Sequence, residues 1–543
     1  MAALAAVAAP GRLTLRVAVI ASPYPLSEIP SPPLGVTYVA AAFAEGGAKV
    51  RIFDYVVCGY SREKLAEQLK TFQPDVVGAN SVTMNFYDAA QILSDVKNCN
   101  PEIITIMGGP HVTFTAEETL RNYPQIDLLA LGEAEETIGE LLPFLKWEFH
   151  DKWKNISGVA FRKNNDVVIT GRRKLIADVD EIAVPARHLL PITRYLALGF
   201  PVSMITGRGC PHSCIFCLGR KMVGAKFRKR KIALILDEME QILALGFNRI
   251  NIADDLFAAD KTRVAQVCRG IKERGLQFAW SAFARVDTVD EEMFAMMAAA
   301  GCDSVSFGVE TGNPQMLKRI KKGINLDQVR RAVAMCRRSG MIAHASFIVG
   351  LPGETKETLA ETEALAKSLG CLYGYHYLAP FPGTTLCENA GQYDLTILTR
   401  DWTKYDANDA IVRTSALSPQ DIRDFVARYD EEMEVNWRKL LAGYKRGNAA
   451  LDDLRIEGHW RLQLNYRILQ DDLIEKLGVI EGELFKDSPE KAQTELCRRI
   501  SEAANADFSL VEKLTDDFVR RGYLQSSPTG KGRTWSWAKQ AGC

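Results

Sequence analysis

The chain has 543 residues, and its 67 Lys and Arg residues balance its 67 Asp and Glu residues. A chain of this length and ordinary composition folds into roughly two to four domains, each with its own core. Balanced charge gives no electrostatic attraction for nucleic acid or for an anionic membrane surface. We therefore expect no nucleic-acid partner.

The hydropathy of the chain and the pattern of its cysteines indicate in which cellular compartment the protein is found. The opening MAALAAVAAPGRL is apolar but lacks a basic flank and is too short to span a bilayer, and no later apolar run reaches transmembrane length. Twelve cysteines, most of them single, do not form the pattern of a secreted disulfide framework. These features predict a cytoplasmic protein with no membrane span.

The first 150 residues alternate short β-rich runs with helical patterns. The runs are LRVAVIAS, VRIFDY, DVVGANSV, IITIMGG and LLALG. Such alternation predicts a doubly wound parallel sheet, in which ligands bind at the carboxyl ends of the strands. Gly-rich, Pro-rich and Ser-rich loops follow four of these strands. Tight turns explain each loop singly, but four loops at one edge favour a ligand site.

A second αβ repeat follows a short connecting segment. Residues 151–200 contain a predicted hairpin, SGVAFRKNNDVVITG, and are interpreted as a linker. From about residue 202 to residue 380, six β-like runs alternate with helical stretches, which predicts a partial (β/α)6 barrel with its chemistry at the strand carboxyl ends. Residues from about 400 onward are mainly helical. We expect them to cover the barrel mouth and to include a winged-helix-like unit.

Three cysteines follow the first barrel strand, in GRGCPHSCIFC. Cys210, Cys214 and Cys217 have the spacing C-x-x-x-C-x-x-C. Structural zinc needs four ligands, commonly as two pairs, and no matching C-x-x-C or H-x-x-x-H pair exists elsewhere in the chain. His212 could be a ligand, but its place inside the tight loop would distort a tetrahedral site. A 4Fe-4S cluster also takes four ligands, so three cysteines would leave one iron open for a ligand from outside the protein. An open iron implies catalysis.

These cysteines, with Phe216 just before the last one, resemble the signature of the radical S-adenosylmethionine enzymes. The resemblance implies that the three thiolates hold a 4Fe-4S cluster. It also implies that S-adenosylmethionine chelates the free iron and is cleaved to a 5'-deoxyadenosyl radical. The electron would come from an external donor such as flavodoxin or ferredoxin.

Later strand ends extend the resemblance. Asp254 or Asp255 is similar in place to the group that receives the substrate amine, although a paired Asp also caps helices. Arg285 resembles the arginine that pairs with the methionyl carboxylate, with a plain salt bridge as the alternative. Glu310, in FGVETGNPQMLKRIKKG, matches a family glutamate near the cofactor.

The fifth strand end, FIVGLPGET, completes this set of implied cofactor contacts. There the resemblance implies that Gly350 and Pro352 bring backbone close to the ribose and adenine, with Glu354 beside them. Loop geometry alone would also explain the glycines.

The amino-terminal segment resembles the cobalamin-binding domain that precedes the barrel in one large subgroup. The similarity lies in PPLGVTYVAAAFAEGGAKVRIFDY, GGPH and LALGEAEETIGELL. It implies a Rossmann-like cobalamin-binding domain (1–150), a linker (151–200), a radical S-adenosylmethionine barrel (201–390) and a helical carboxyl-terminal domain (391–543). The implied cobalamin-binding residues are Pro33, Leu34, Gly35, Ser81, Thr83, Gly108, Gly109, Gly132 and Glu133.

The loop after the first strand contains no histidine that could bind the lower face of cobalt. Many cobalamin proteins supply one within D-x-H-x-x-G, but no histidine precedes His111 in this chain. We expect His111 to pack near the corrin tail or to hydrogen bond locally, with cobalt ligation as the less favoured alternative. Methylthiotransferases share the two-part organisation, but only Cys58 and Cys99 precede Cys210, too few for their second cluster.

The resemblance implies a cobalamin-dependent enzyme that methylates an unactivated carbon of a small molecule, using methylcobalamin and a 5'-deoxyadenosyl radical. Related enzymes use the same cofactors for oxidative cyclisation, as the anaerobic magnesium-protoporphyrin ester cyclases do, or for ring rearrangement. A third hypothesis is a non-catalytic cobalamin or redox sensor. The complete cluster motif argues against it, because a sensor has no evident use for an open iron.

Overall fold

The computed structural model describes residues 14–447 and 450–538. The apolar opening segment, residues 1–13, therefore lies outside the described residues. Among those residues, none of the helices combines the length and apolar character needed to cross a membrane.

The amino-terminal region is built on a seven-stranded sheet in the order β2-β1-β3-β4-β5-β6-β7. The first five strands run parallel and the last two antiparallel. The strands are β1 (Arg16–Ala21), β2 (Lys49–Asp54), β3 (Val76–Asn80), β4 (Ile104–Gly108), β5 (Leu128–Ala130), β6 (Val159–Lys163) and β7 (Asp166–Ile169). The helices are α1 (Leu34–Glu45), α2 (Arg62–Phe72), α3 (Phe86–Cys99), α4 (Pro110–Phe114), α5 (Ala116–Asn122) and α6 (Glu135–Leu141).

The predicted parallel sheet is confirmed, and its ligand edge follows from its topology. The chain reverses direction of winding between β1 and β3, which places a crevice above the carboxyl ends of these strands. The predicted hairpin also forms, with Asn164 at a φ of 55° in its turn. It is not a free linker, because β6 pairs with β5 and extends the first sheet.

The second region is an open six-stranded parallel barrel in the order β15-β14-β13-β12-β11-β8. Helix α7 (Ile192–Leu198) leads into it. Its strands are β8 (Val202–Met204), β11 (Arg249–Ile252), β12 (Ala279–Ala284), β13 (Cys302–Glu310), β14 (Ile342–Val349) and β15 (Leu372–Tyr377), and a small antiparallel pair, β9 (Gly207–Arg208) and β10 (Arg228–Lys229), lies beside the first. The helices are α8 (Gly219–Val223), α9 (Ile232–Ala244), α10 (Lys261–Glu273), α11 (Glu291–Ala299), α12 (Pro314–Arg319), α13 (Leu326–Arg338) and α14 (Lys356–Ser368). The six predicted βα units are therefore present.

The remaining residues are mainly helical and end in a three-stranded antiparallel sheet. The helices are α15 (Thr385–Glu388), α16 (Pro419–Gly443), α17 (Leu451–Gln470), α18 (Leu473–Leu477), α19 (Glu483–Lys486), α20 (Pro489–Ala504) and α21 (Phe508–Arg520). The strands are β16 (Thr396–Ile397), β17 (Val412–Arg413), β18 (Val479–Glu481), β19 (Leu524–Thr529) and β20 (Gly532–Trp537). The winged-helix-like interpretation of this region stays a prediction.

The last helices dock away from the barrel mouth. The buried Arg194 of α7 donates to Val57 O at 2.9 Å and pairs with Asp472 and Glu475 of the carboxyl-terminal region. The Asn465 amide donates to Ala197 O at 2.5 Å. These contacts fasten residues from 451 onward to α7 and the first sheet. Thr414 instead lies at the turn after β14, where its hydroxyl donates to Glu354 O at 2.9 Å. The expectation that the region from about residue 400 covers the barrel mouth stays a prediction.

Candidate active site

Cys210, Cys214 and Cys217 lie on one loop at the carboxyl end of β8 and share a cavity of about 310 Å³, called here the cysteine-loop cavity. Ile215 anchors the loop to the barrel, because its N–H donates to Ile320 O at 3.2 Å and its carbonyl accepts the Leu386 N–H at 3.1 Å. The other lining residues are His212, Ser213, Arg220, Lys221 and Thr385.

Two cationic side chains near the three thiols favour the thiolate form. Burial raises the pKa of each thiol, while the charges of Arg285 and Lys322 lower the pKa of Cys210 and Cys214. Nearby cations stabilise thiolates, the form that binds metal. In the described part of the chain, no group of three or more His, Cys, Asp or Glu side chains is arranged so that it could hold a metal ion. The fit to a cluster therefore rests on the shared cavity and the neighbouring cations.

Lys322 belongs to this site although sequence reasoning did not single it out. Its ammonium lies 2.5 Å from Glu310 Oε1 and 6.0 Å from the centre of the Phe216 ring. Gly308 leaves room for the pair, since a Cβ there would lie 2.5 Å from Glu310 Oε1. The string KRIKKG contains the residue, but only the fold shows that Lys322 is buried while Lys321 is exposed.

The positive charge of Arg285 acts on Cys210 and Cys214, but its guanidinium already has hydrogen-bond partners within the protein. It donates to both oxygens of Asp287 at 2.9 Å and to Lys322 O at 2.9 Å. The predicted pairing with a methionyl carboxylate therefore requires Asp287 to be displaced or shared. The position agrees with the predicted role, and the plain salt bridge also exists.

The two adjacent aspartates point in different directions. Asp254 is 2% exposed, and its oxygens accept the Thr206 N–H and hydroxyl, each at 2.5 Å. Burial raises the pKa of Asp254 to about 6, despite these hydrogen bonds. Asp255 is exposed and faces Gly219 in the cysteine loop, where an added Cβ would lie 3.2 Å from its Oδ1. Asp254 is therefore engaged within the protein, and a ligand role for Asp255 stays a prediction.

The FIVGLPGET turn is organised around a buried acid. Glu354 Oε2 accepts the Gly350 N–H at 2.6 Å and the Leu351 N–H at 3.2 Å, while its Oε1 has no partner among the described residues. Gly350 has a φ of 89°, which favours glycine. Pro352 is buried in the same turn. Loop geometry therefore explains Gly350 and Pro352, and their approach to the ribose and adenine stays a prediction.

A second cavity, of about 290 Å³, opens at the carboxyl edge of the first sheet and is called here the sheet-edge cavity. Its walls are mostly apolar and include Val19, Phe43 and Ile106. A Cβ added at Gly35, Gly78 or Gly132 would meet no atom within 4 Å, although all three residues line the cavity. The glycines therefore leave a cradle that side chains would fill, which fits a bulky apolar ligand group.

Of the nine predicted cobalamin-binding residues, some line the sheet-edge cavity and others do not. Five line the sheet-edge cavity: Gly35, Gly108, Gly109, Gly132 and Glu133. The other four do not. Pro33 and Leu34 instead begin α1. Ser81 and Thr83 are buried beneath the loop of Gly109, where an added Cβ would lie 2.3 Å from Ser81 O.

His111 packs among aromatic rings. Its ring centre lies 4.4 Å from that of Phe86 and 5.1 Å from that of Trp402. Burial lowers the pKa of His111 to about 4, so the imidazole is neutral. It lines neither the sheet-edge cavity nor the cysteine-loop cavity, which agrees with local packing and not with cobalt ligation.

A cleft of about 1080 Å³, the central cleft, lies between the two cavities. Arg220 and Lys221 line both the cleft and the cysteine-loop cavity. Gly132, Glu133 and Met222 line both the cleft and the sheet-edge cavity. A molecule in the cleft would therefore contact residues of both sites.

Comparison with known proteins agrees with this arrangement. Residues 27–142 match the B12 binding domain, and residues 204–366 match the Radical SAM superfamily. A protein of Pyrococcus horikoshii named as an uncharacterized methyltransferase is 36% identical over 394 residues, covering 72% of this chain and 85% of that protein. The chain belongs to the cobalamin-dependent radical S-adenosylmethionine family. It is therefore an enzyme whose cofactors are a 4Fe-4S cluster, S-adenosylmethionine and cobalamin.

One further relative and one solved structure add to the comparison. The anaerobic magnesium-protoporphyrin IX monomethyl ester cyclase of Rubrivivax gelatinosus is 28% identical over 407 residues, covering 73% of this chain and 72% of that protein. The structure of OxsB with aqua-cobalamin and S-adenosylmethionine bound matches with a TM-score of 0.65 at 17% identity, covering 94% of this chain and 79% of that one. The second likeness shows a shared fold.

Gly78→Leu tests the sheet-edge cavity. The leucine enters open space, so the fold should tolerate it, but it occupies the cradle. We expect cobalamin binding to weaken about tenfold or more, equivalent to a loss of about 1.4 kcal/mol or more, while iron content is unchanged. Cobalamin retained after gel filtration, measured by absorbance, reports the loss. Gly139→Leu is the control, because Gly139 is exposed on α6 and an added Cβ also meets no atom within 4 Å. Equal cobalamin content in the two variants would contradict the assignment.

Glu354→Gln tests the buried acid. Burial raises the pKa of Glu354 to about 8 from a usual value of 4.5. The folded state then keeps a proton that the unfolded chain loses in this window, so the free energy of unfolding falls as pH rises. Glutamine removes this contribution. Between about pH 5 and pH 8 we expect the unfolding free energy of the variant to fall less than that of the wild type, by roughly 1 to 4 kcal/mol.

Denaturant unfolding at the two pH values measures this difference. Asp54 and Asp254 have pKa values raised by burial in the same direction, so part of the wild-type slope remains in the variant. Glu357→Gln is the matched control, three residues along and exposed at the start of α14. A Glu354→Gln slope equal to that of the wild type would show that the carboxyl is ionised in the folded protein.

Proposed function

We propose that this enzyme transfers a methyl group to an unactivated carbon of a small molecule. The central cleft is the observation that carries the proposal, because it borders both the cysteine-loop cavity and the sheet-edge cavity. A substrate there would lie between the two cofactor sites. The methyltransferase name of the Pyrococcus horikoshii relative supports methyl transfer over the other reactions.

The cysteine loop supplies one half of the proposed site. In this proposal Cys210, Cys214 and Cys217 hold the cluster, and Lys322 and Arg285 balance the thiolate charge. Asp255 accepts a hydrogen bond from an ammonium group of the bound cofactor or substrate, while Asp254 holds the end of β8. Cys217 is exposed, which leaves a surface route for an electron from flavodoxin or ferredoxin.

The first sheet supplies the other half. In this proposal the glycine cradle holds cobalamin, and Gly108 and Gly109 line the same cavity. When bound, S-adenosylmethionine supplies the radical that removes a hydrogen atom and cobalamin supplies the methyl group. The chain orients the reacting groups and limits the access of water to the cleft.

Oxidative cyclisation is the second candidate reaction. The cyclase of Rubrivivax gelatinosus is 28% identical to this chain and matches it over 407 residues. Both reactions need the same two cofactor sites, so the cavities alone do not separate them. The products do separate them.

Anaerobic incubation of the reconstituted enzyme with methyl-labelled S-adenosylmethionine, reductant and cell extract tests the proposal. Methylation predicts both S-adenosylhomocysteine and 5'-deoxyadenosine, with label entering a metabolite. 5'-Deoxyadenosine without S-adenosylhomocysteine would favour cyclisation. Neither product would favour the sensor hypothesis.

Cys214→Ala tests the cluster ligands. Removing one of three thiolates should abolish the iron–sulfur absorbance and lower the iron content to near background, because two thiolates do not hold the cluster stably. Cys387→Ala is the control, since Cys387 lies two residues from the cavity-lining Thr385 but does not itself line the cavity. Full absorbance and iron content in Cys214→Ala would overturn the ligand assignment.

A further inference from the structure

Glu133 joins the first sheet to the barrel through buried ion pairs. It lies in the loop after β5, and its two oxygens accept both terminal nitrogens of Arg228, at 2.7 and 2.8 Å. Arg208 reaches the same carboxylate at 3.3 Å and also pairs with Glu135 at 2.6 Å. Glu133, Arg208 and Arg228 are called here the interdomain clamp.

The clamp is buried and its groups are held on several sides. The side chains of Glu133, Arg228 and Arg208 are 5%, 7% and 11% exposed. Arg228 also donates to Ile176 O at 2.6 Å and to Val223 O at 2.8 Å, and the Ile176 N–H donates to Glu133 Oε2 at 3.1 Å. Burial opposes ionisation, but the two arginines keep the pKa of Glu133 below its usual value.

The clamp touches both cofactor sites through the backbone. Arg208 stands two residues before Cys210, and Val223, which accepts from Arg228, lines the sheet-edge cavity. Glu133 itself lines the sheet-edge cavity and the central cleft. A displacement of the loop that carries Glu133 would therefore change the contacts of Arg208 and Arg228, which lie next to the cysteine loop.

Other contacts between the two regions include single hydrogen bonds, from the Tyr195 hydroxyl to Asp54 Oδ2 at 2.7 Å and from the Ser31 hydroxyl to Pro201 O at 2.9 Å, as well as apolar contacts. Phe114 packs against Gly383, where an added Cβ would lie 2.3 Å from the ring. Apolar contacts of this kind tolerate sliding, whereas a bidentate arginine–carboxylate pair fixes distance and angle. Within the described residues, the clamp is thus a contact that specifies how the two edges face each other.

We propose that Glu133, Arg208 and Arg228 are positioning residues that set the separation of cobalamin from the iron–sulfur cluster. This assigns Glu133 a role different from direct cobalamin contact. The proposal rests on the cofactor sites given under Proposed function.

The double variant Glu133→Gln with Arg228→Gln tests the clamp. It removes both charges together, so neither is left buried and unpaired. The matched control is Arg249→Gln with Asp303→Asn, which removes a bidentate pair at 2.5 and 2.7 Å that lies wholly within the barrel. Each enzyme is reconstituted with cluster and cobalamin. Pulsed electron paramagnetic resonance then measures the distance between the reduced cluster and cob(II)alamin.

We expect the distance distribution of the clamp variant to shift or to broaden about twofold, because a directional contact is lost, with cluster and cobalamin contents retained. The control pair should keep the wild-type distribution. If the double variant does not fold, Arg228→Lys is measured instead, since it keeps the charge and loses the bidentate fork. A wild-type distribution in the clamp variants would overturn the proposal. Missing cluster or cobalamin signal in the unmodified enzyme would instead overturn the cofactor sites, and the clamp proposal with them.

Discussion

The interdomain clamp couples the first sheet to the barrel through a bidentate arginine–carboxylate pair. Buried charge is unfavourable unless it is fully paired and hydrogen-bonded, and Glu133 meets both conditions only when the sheet edges face each other in one arrangement. Glu133 also lines the central cleft, so the clamp lies at its wall. Chemistry that needs two cofactors near one substrate depends on the relative placement of the edges more than on either edge alone.

Each edge makes room for its cofactor in a different way. The first sheet uses glycine, so that the cavity lies where side chains would otherwise pack. The barrel uses a short loop anchored at Ile215, whose three cysteines line one cavity. Both solutions place ligands at the carboxyl ends of parallel strands, where backbone is free of sheet pairing.

Buried acids around the barrel mouth hold its loops. Asp254 binds the end of β8 and Glu354 closes the turn after β14. Both residues occur in motifs that resemble cofactor-binding sequences, yet their oxygens point into the protein. In the proposed site, the pair Asp254 and Asp255 divides two tasks, because Asp254 holds the loop and Asp255 is left to bind a ligand.

The sequence by itself determined the two αβ units, the three-cysteine loop and the absence of a histidine before His111. These features depend on local periodicity and on spacing within a few residues, which the chain order preserves. Only the tertiary structure decided that Lys322 and not Lys321 is buried at the site, that Asp254 turns inward, and that Glu133 binds barrel arginines. It also decided that the hairpin extends the first sheet and that the last helices dock on α7. Such outcomes depend on contacts between residues far apart in sequence, where burial and pairing, not local pattern, choose the partner.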